Sequence, residues 1–394
     1  MKMVTCGPSI YQMPHIGNYR TFVFEDILQR YLEYLGYKVE RLMNITDVED
    51  KALVEAANRN ITPKELTDSN IEIFIDELKK LKVKIPDYLE RSSTVIDEAV
   101  YLIEILLEKG YAYWHTHRGR RNVYFDPLKF DGFGKLFGLD MSKWPKKRRR
   151  FHHDTYSNDR WNKGDFILWH GYKEGDKVYW DTKIGKGRPS WNIQDQAMVL
   201  KTFGFEVDFW CSGIDSTHRH HDYIIATVEP IIGKPFVNYW LHSAHLIFEG
   251  EKMSKRKGNI KYLRDLLETD CIWNHIRFLL IFGHYRRKLN FTFKDYKNIC
   301  KLLSNFQEMV NKLRVAEGSK QKSSVRAKKL VKMIKADFEE HMNNDLHVKA
   351  AFNSMYTTVS KLVKLKEKQM LSLEDSRKAL AELKAIDYVL QAIF

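Results

Sequence analysis

Residues 249–259 read EGEKMSKRKGN, which sets Lys252, Lys255, Arg256 and Lys257 in close succession ahead of Gly258 and Asn259. A basic run is usually a solvated surface, and a chain with 65 Lys and Arg residues is expected to hold one by chance, so read alone it decides nothing. Two other stretches carry side chains with chemistry to offer. In PHIGN, His15 stands just ahead of a helix-like run, where backbone N–H groups and the helix dipole attract anions, so a phosphate fits; an incidental surface histidine would look no different. In WCSGIDSTHRHH, Gly213 allows close backbone approach, and Asp215, beyond the strand-like VDFW, is placed to accept from ribose hydroxyls, with His220 following.

The elements that must position these residues are legible around them. Met3-Val4-Thr5-Cys6 is a short strand-like run broken by Gly7-Pro8, and Phe24, Ile27, Leu28, Tyr31, Leu32 and Leu35 recur at helical spacing up to Gly36. Val39 to Ile45 reads as a second strand, so the first fifty residues form a βαβ unit of a parallel sheet. Ligands of such sheets bind beyond the carboxyl ends of the strands, where the loop from Cys6 to Asn18 and the turn Asn44 to Asp47 lie. Residues 52–112 read as amphipathic helices. Residues 113–190, with NVYFDP and KVYWDT, read as a small insertion whose KKRRR at 146–150 is as well explained by a solvated loop as by phosphate contact. From residue 291 the pattern is helical throughout, with EGSKQKSS at 317–324 as a loop between helices.

Composition bounds the rest. The chain has 394 residues, 44% hydrophobic and 13% aromatic, which describes a folded protein of two or three domains. A net charge of +14 favours a polyanionic partner such as nucleic acid. Four cysteines without a CxxC spacing, and no signal segment, point to a cytoplasmic address with reduced thiols. No apolar run approaches the ~18–20 residues that span a bilayer.

Taken in order, a histidine motif after the first strand, a GxD turn and a KMSK loop resemble the class I aminoacyl-tRNA synthetases. The resemblance narrows to the cysteinyl-tRNA synthetase family through TCGPSIYQMPHIGNYRTFVFEDILQRYLEYLGY, NITDVEDK, GDFILWH, GRPSWNIQDQAM, LLIFGHYRRKLNF and FEEHMNNDLHVKAAF. It implies an α/β fold with a Rossmann-like parallel sheet, an inserted small subdomain and a C-terminal helical bundle. The domains expected are 1–262, catalytic, with the insertion at about 113–190; 263–290, a connection like the family's stem-contact region; and 291–394, the bundle. It also implies ATP with Mg2+ as cofactor. His15, Gly17, Asn18, Gly213, Asp215, Lys252, Met253, Ser254 and Lys255 would bind the nucleotide, with His15, Lys252 and Lys255 catalytic. Cys6, Thr46, Trp191, Asp195, His220 and Ile224 would line the amino-acid pocket.

The sequence departs from the family where the family binds zinc. The family's ligands are Cys, Cys, His and Glu; here they fall on Cys6, Asp195, His220 and Ile224, and isoleucine cannot bind a metal. Cys211, His221 and Asp222 are nearby substitutes. The expectation is a site without zinc, in which Asp195 favours a cationic or amine-bearing amino acid over cysteine; if zinc is kept, Cys6, Asp195 and His220 would hold it. Arg256 stands where the family motif has serine, and the expectation from the end of the chain is that an anticodon-reading module is missing. The reading is thus a monomeric, ATP-dependent amino-acid-activating ligase that acylates a tRNA or a small amine. The alternatives are a genuine cysteinyl enzyme with an altered zinc site and a non-catalytic RNA-binding paralog.

Overall fold

The computed structural model describes residues 1–144, 164–254, 257–269, 271–314 and 322–394, and KKRRR at 146–150, Lys255 and Arg256 fall outside them. The chain forms two compact units that share it discontinuously. The first comprises Met1–Met13, Glu40–Ile75 and Pro86–His242; the second comprises Pro14–Val39, Asp76–Ile85 and Ser243–Phe394.

A five-stranded sheet organises the first unit. Its strands are β1 (Lys2–Ser9), β2 (Glu40–Thr46), β3 (Tyr88–Arg91), β8 (Val207–Gly213) and β9 (Val237–Ser243), in the order β3-β2-β1-β8-β9. β1 pairs in parallel with β2 and with β8, and β2 with β3. β2 is buried from Arg41 through Ile45, its polar Arg41 and Asn44 included, as a parallel strand covered on both faces requires. Strand order reverses between β1 and β8, so their carboxyl ends, at Ser9 and Gly213, flank the crevice where α/β sheets take ligands. Helices α2 (Asp50–Asn58), α4 (Ile96–Glu108), α5 (Trp191–Phe203) and α6 (Asp222–Ile232) belong to this unit, and α3 (Pro63–Lys80) begins in it.

The insertion read from residues 113–190 contains a four-stranded antiparallel sheet: β4 (Ala112–His117), β5 (Arg120–Phe125), β6 (Phe166–Gly171) and β7 (Gly187–Pro189). Arg118 and Gly119 turn β4 into β5 with φ of 50° and 76°, the paired positive values that a tight hairpin needs. Val123, Phe125, Phe166, Leu168 and Trp169 pack with Ile103 of α4 and Ile193 of α5 in one buried cluster. The sequence reading of 52–112 as helices missed β3. Four residues at a sheet edge carry too little alternation to stand out between helical patterns.

The second unit holds α1 (Ile16–Tyr34), which packs on α8 (Trp273–Phe282) and α12 (Leu373–Leu390). Buried Asp26 of α1 pairs with Arg30 at 2.9 Å and with Arg277 of α8 at 2.6 Å, satisfying three charges within the apolar contact. A small sheet runs β11 (Glu251–Lys252), β10 (Leu246–Phe248), β12 (Leu289–Phe291), with Glu249 and Gly250 making its hairpin turn at φ of 48° and 83°. Helix α7 (Leu263–Leu267) precedes α8, and α9 (Phe293–Arg314), α10 (Val325–Asn343), α11 (Val348–Glu367) and α12 form the helical C-terminal region. The mixed α/β class, the parallel central sheet and the C-terminal helices agree with the sequence reading.

Candidate active site

In the first unit, Cys6 lies where β1 stops pairing regularly with β2, at a register shift between Cys6 and Ser9. Gly7 makes this exit feasible: a Cβ there would sit 1.9 Å from the Asn44 carbonyl oxygen, and its N–H donates to Asn44 Oδ1 at 3.2 Å. The Trp210 indole N–H of β8 donates to Cys6 Sγ at 3.2 Å, and His221 Nε2 stands 3.6 Å from the same sulfur. The ligand atoms of Cys6, His220 and His221 all lie within 4.8 Å of one another.

The two histidines are set by a π-helical turn, Thr217–His221, immediately before α6; such turns recur at functional sites because they re-aim side chains. His220 stacks on Trp191 with ring centroids 5.0 Å apart, and its Nε2 lies 2.6 Å from Asp195 Oδ2. Its Nδ1 is buried and finds no hydrogen-bond partner among the described residues. His221 is fully buried, and its Nδ1 is 2.8 Å from His242 Nε2. Burial, with smaller contributions from His220 and His242, pushes the His221 imidazole well below its ordinary value and keeps it neutral. One thiol and two imidazoles form a donor set that fits zinc.

Of the residues expected to line the pocket, the structure brings together Cys6, Trp191, Asp195 and His220. Ile224 is buried in an apolar cluster with Val4, Leu42, Val199 and Trp210, against which Cys6 also packs. Thr46 is half-buried at the end of β2, opposite Ser9. Gly213 ends β8, and Asp215 is exposed in the turn that follows. Among the substitutes considered, Cys211 is buried in β8 next to Trp210, on the other side of the strand's alternation. Asp222 accepts the backbone N–H of Leu136 at 3.2 Å. Burial pushes its carboxyl up to about 6, against the opposing backbone hydrogen bonds from Leu136, Phe137 and Gly134. Trp210 and His242 were missed as site residues. The YWLHS stretch carries no spacing that marks its histidine.

In the second unit, His15 is the N-cap of α1. Its Nδ1 accepts from Gly17 N–H at 3.1 Å, while Asn18 Oδ1 accepts from His15 N–H at 3.0 Å. With Nδ1 committed as an acceptor, the neutral ring carries its proton on Nε2 and presents a donor. A Cβ on Gly17 would meet the His15 ring at 2.9 Å and Met253 Cε at 3.5 Å. Ile16 N–H donates to the Lys261 carbonyl at 2.9 Å, tying the start of α1 to the chain leaving the KMSK loop. Asn259 closes that loop: its Oδ1 accepts from Ser254 N–H at 2.8 Å and its Nδ2 donates to the Lys252 carbonyl at 3.2 Å, with Gly258 turning at φ of 64°. Lys252 is exposed on β11.

The fold is that of the class I aminoacyl-tRNA ligases, and the match to a family model over residues 1–301 shows the chain to be one of them. Within that class the chain belongs to the cysteinyl-tRNA synthetase family: the family model described as tRNA synthetases class I (C) catalytic domain matches residues 1–301. Cysteine–tRNA ligase of Chlamydia pneumoniae is 37% identical over 392 residues, covering 99% of this chain and 81% of that protein. Its counterpart in Brachyspira hyodysenteriae is 36% identical over 362 residues, covering 91% and 75%. Two solved structures share the fold at low identity. Mycobacterium tuberculosis methionyl-tRNA synthetase in complex with methionyl-adenylate superposes with a TM-score of 0.67 at 14% identity, over 98% of this chain and 89% of that one. The LeuRS of Agrobacterium radiobacter K84, in a ternary complex with tRNA and LeuAMS, gives 0.69 at 10% identity, over 100% and 84%. No described helix is long and apolar enough to cross a membrane.

Proposed function

We propose that this enzyme activates cysteine with ATP and Mg2+ and transfers the cysteinyl group to tRNA. The observation that carries the reading is the thiol and imidazole cluster of Cys6, His220 and His221 at the carboxyl ends of the strands, with Asp195 already paired to His220 at 2.6 Å. A zinc ion bound there would supply a soft position that takes a thiolate in preference to a hydroxyl, which is how cysteine is told from serine. Trp191 and Thr46 complete the pocket, with Ile224 behind it. Asp215 and the backbone at Gly213 serve adenosine. His15, with Gly17 and Asn18 holding its cap, donates from Nε2 to a phosphate oxygen, while Lys252, Met253, Ser254 and Lys255 serve the triphosphate. In activation, a carboxylate oxygen of the amino acid attacks the α-phosphorus as the bond to the bridging oxygen breaks. Pyrophosphate then leaves with its charge against Lys252 and Lys255, since a lysine ammonium is a compact point charge suited to a departing polyphosphate. The domain division 1–262, 263–290 and 291–394 belongs to the same proposal.

A second reading rests on the same carboxylate. Asp195 and Ile224 replace two soft or acidic positions of the family, and a pocket with one negative charge would select a cationic or amino-bearing substrate and pass it to a tRNA or a small amine. The 2.6 Å contact with His220 counters this charge only when the imidazole is protonated, and the buried Asp195 Oδ2 takes no hydrogen bond among the described residues.

Pyrophosphate exchange across the amino acids separates the readings. Cysteine-dependent exchange is expected, with Lys255→Ala lowering the rate by ~10²-fold or more and changing ATP affinity little, as for a group engaged mainly in the transition state. Preference for a lysine-like substrate would transfer the case to the second reading. Exchange with no amino acid, or an unchanged rate in the variant, would sink the adenylation assignment.

A further inference from the structure

We propose that this chain builds a three-ligand transition-metal site from Cys6, His220 and His221, with Asp195 and His242 behind it as the groups that orient the two imidazoles. The inference deepens the cysteine reading above, since it names what would meet the substrate thiol. It differs from the family's ligand set, which would fall on Cys6, Asp195, His220 and Ile224.

Ile224 offers no donor and lies in an apolar cluster, so that set is short of a fourth group here. The neighbouring imidazole of His221 lies closer to the sulfur than a bystander needs to. Ligand atoms on one tetrahedral zinc stand about 3.3–3.6 Å apart, given ordinary Zn–N and Zn–S bonds. His221 Nε2 and Cys6 Sγ are 3.6 Å apart, and all three ligand atoms fit within 4.8 Å, so closing on an ion takes a shift of about an ångström.

The contacts on the far side of each ring, a hydrogen bond for His221 and a close carboxylate for His220, supply the second observation. Ligating histidines nearly always donate their other ring N–H to a partner that fixes tautomer and orientation. His221 has this arrangement: Nδ1 faces His242 Nε2 at 2.8 Å, which leaves the Nε2 lone pair toward Cys6 when Nδ1 carries the proton. His220 has a carboxylate beside it instead. Nε2 lies 2.6 Å from Asp195 Oδ2, a close contact that is not a hydrogen bond, and Nδ1 is a buried nitrogen without a hydrogen-bond partner among the described residues. The Trp210 N–H on Cys6 Sγ at 3.2 Å stabilises negative charge on the sulfur. Two imidazoles and one thiolate with a fourth position open match the pattern of zinc sites that take a water or substrate, as distinct from closed four-ligand structural sites.

The test uses the full chain purified without chelator. Wild-type protein should carry one zinc, and Co2+ in its place should show a thiolate-to-cobalt band that Cys6→Ser abolishes. Competition with graded chelator should show Zn2+ affinity weakened ~10–100-fold by His242→Gln and by Asp195→Asn, the range for groups behind a ligand, and weakened further by His221→Asn. His221 is fully buried, so thermal midpoints accompany each measurement, and the half-buried His242 supplies the variant that keeps its fold. Wild-type protein that binds no Zn2+ or Co2+, or His221→Asn and His242→Gln variants that bind as tightly as wild type, would overturn the site. Cysteine-dependent exchange on the same preparations separates the two ideas. Metal bound as described without cysteine activation leaves the site standing and sinks the substrate assignment, whereas cysteine activation by protein that binds no metal does the reverse.

Discussion

Asp222 shows how one residue's surroundings set its chemistry. It follows the metal-candidate histidines, but its carboxylate is turned to the backbone N–H groups of Gly134, Leu136 and Phe137 and pins that loop to the start of α6. Burial outweighs those hydrogen bonds and pushes the group up to about 6 from an ordinary value of 3.8. A carboxyl whose folded-state pKa is raised lends stability that is fully present below about pH 4 and lost as pH rises through 6. The amount is up to about 3 kcal/mol. Asp222→Asn keeps an oxygen for Leu136 and removes the charge, so the variant should lack that pH-dependent loss and be the more stable protein at pH 7. Thermal midpoints of both proteins from pH 4 to 7 check it, and parallel curves would show that the carboxylate is not held in this way.

At the scale of elements, two devices place the motifs. Gly7 lets β1 pass the carbonyl of Asn44 on β2 at a distance no side chain allows. Since the obstacle is backbone, Gly7→Ala should lower the thermal midpoint by about 5–10 °C and disturb Cys6 next to it. An unchanged midpoint would mean that the strand exit relaxes freely. Arg20 is the second device. One turn beyond His15 on α1, its buried guanidinium donates to the carbonyls of Ala244 at 2.9 Å, His245 at 2.7 Å and His284 at 3.2 Å, and also to Arg287. The 244–245 segment leads into β10 and the KMSK hairpin, and Leu289 N–H of β12 bonds back to the His245 carbonyl at 3.1 Å. The helix that carries His15 therefore also holds the base of the lysine loop. Arg20→Met should lower the turnover of pyrophosphate exchange by ~10-fold or more with a smaller change in KM for ATP, and Arg20→Lys should recover part of it. Loss of thermal stability with unchanged turnover would reduce Arg20 to a packing residue.

For the whole molecule, the net positive charge favours phosphate contacts with a tRNA. The net charge is +14, and α10 alone exposes Arg326, Lys328, Lys329, Lys332 and Lys335 opposite a buried face of Ala327, Leu330, Val331, Ile334 and Phe338. Contacts made largely to phosphates release counterions, so tRNA affinity should fall by ~10-fold or more between 50 and 200 mM salt, linearly on logarithmic axes. Filter binding across that range measures the slope, and a flat response would assign recognition to other contacts. How much of this was legible in advance follows the reach of the interactions. The His15 cap closes over three residues, and the KMSK loop closes on Asn259 within one turn of chain. Such features depend on local backbone spacing, so the order of residues alone determined them, along with the βαβ start and the helical C-terminal region. Asp195 looked like an unpaired carboxylate, Ile224 like a pocket wall and His221 like a spare histidine, because none of them has its partner nearby in the chain. Cys6 meets His221 across 215 positions, through the register of β1 on β8 and the π-helical turn before α6. The partner of a buried polar group is chosen by which strands lie side by side and which way a helix enters. Only the tertiary structure decided that Asp195 faces His220 and that His242 stands behind His221.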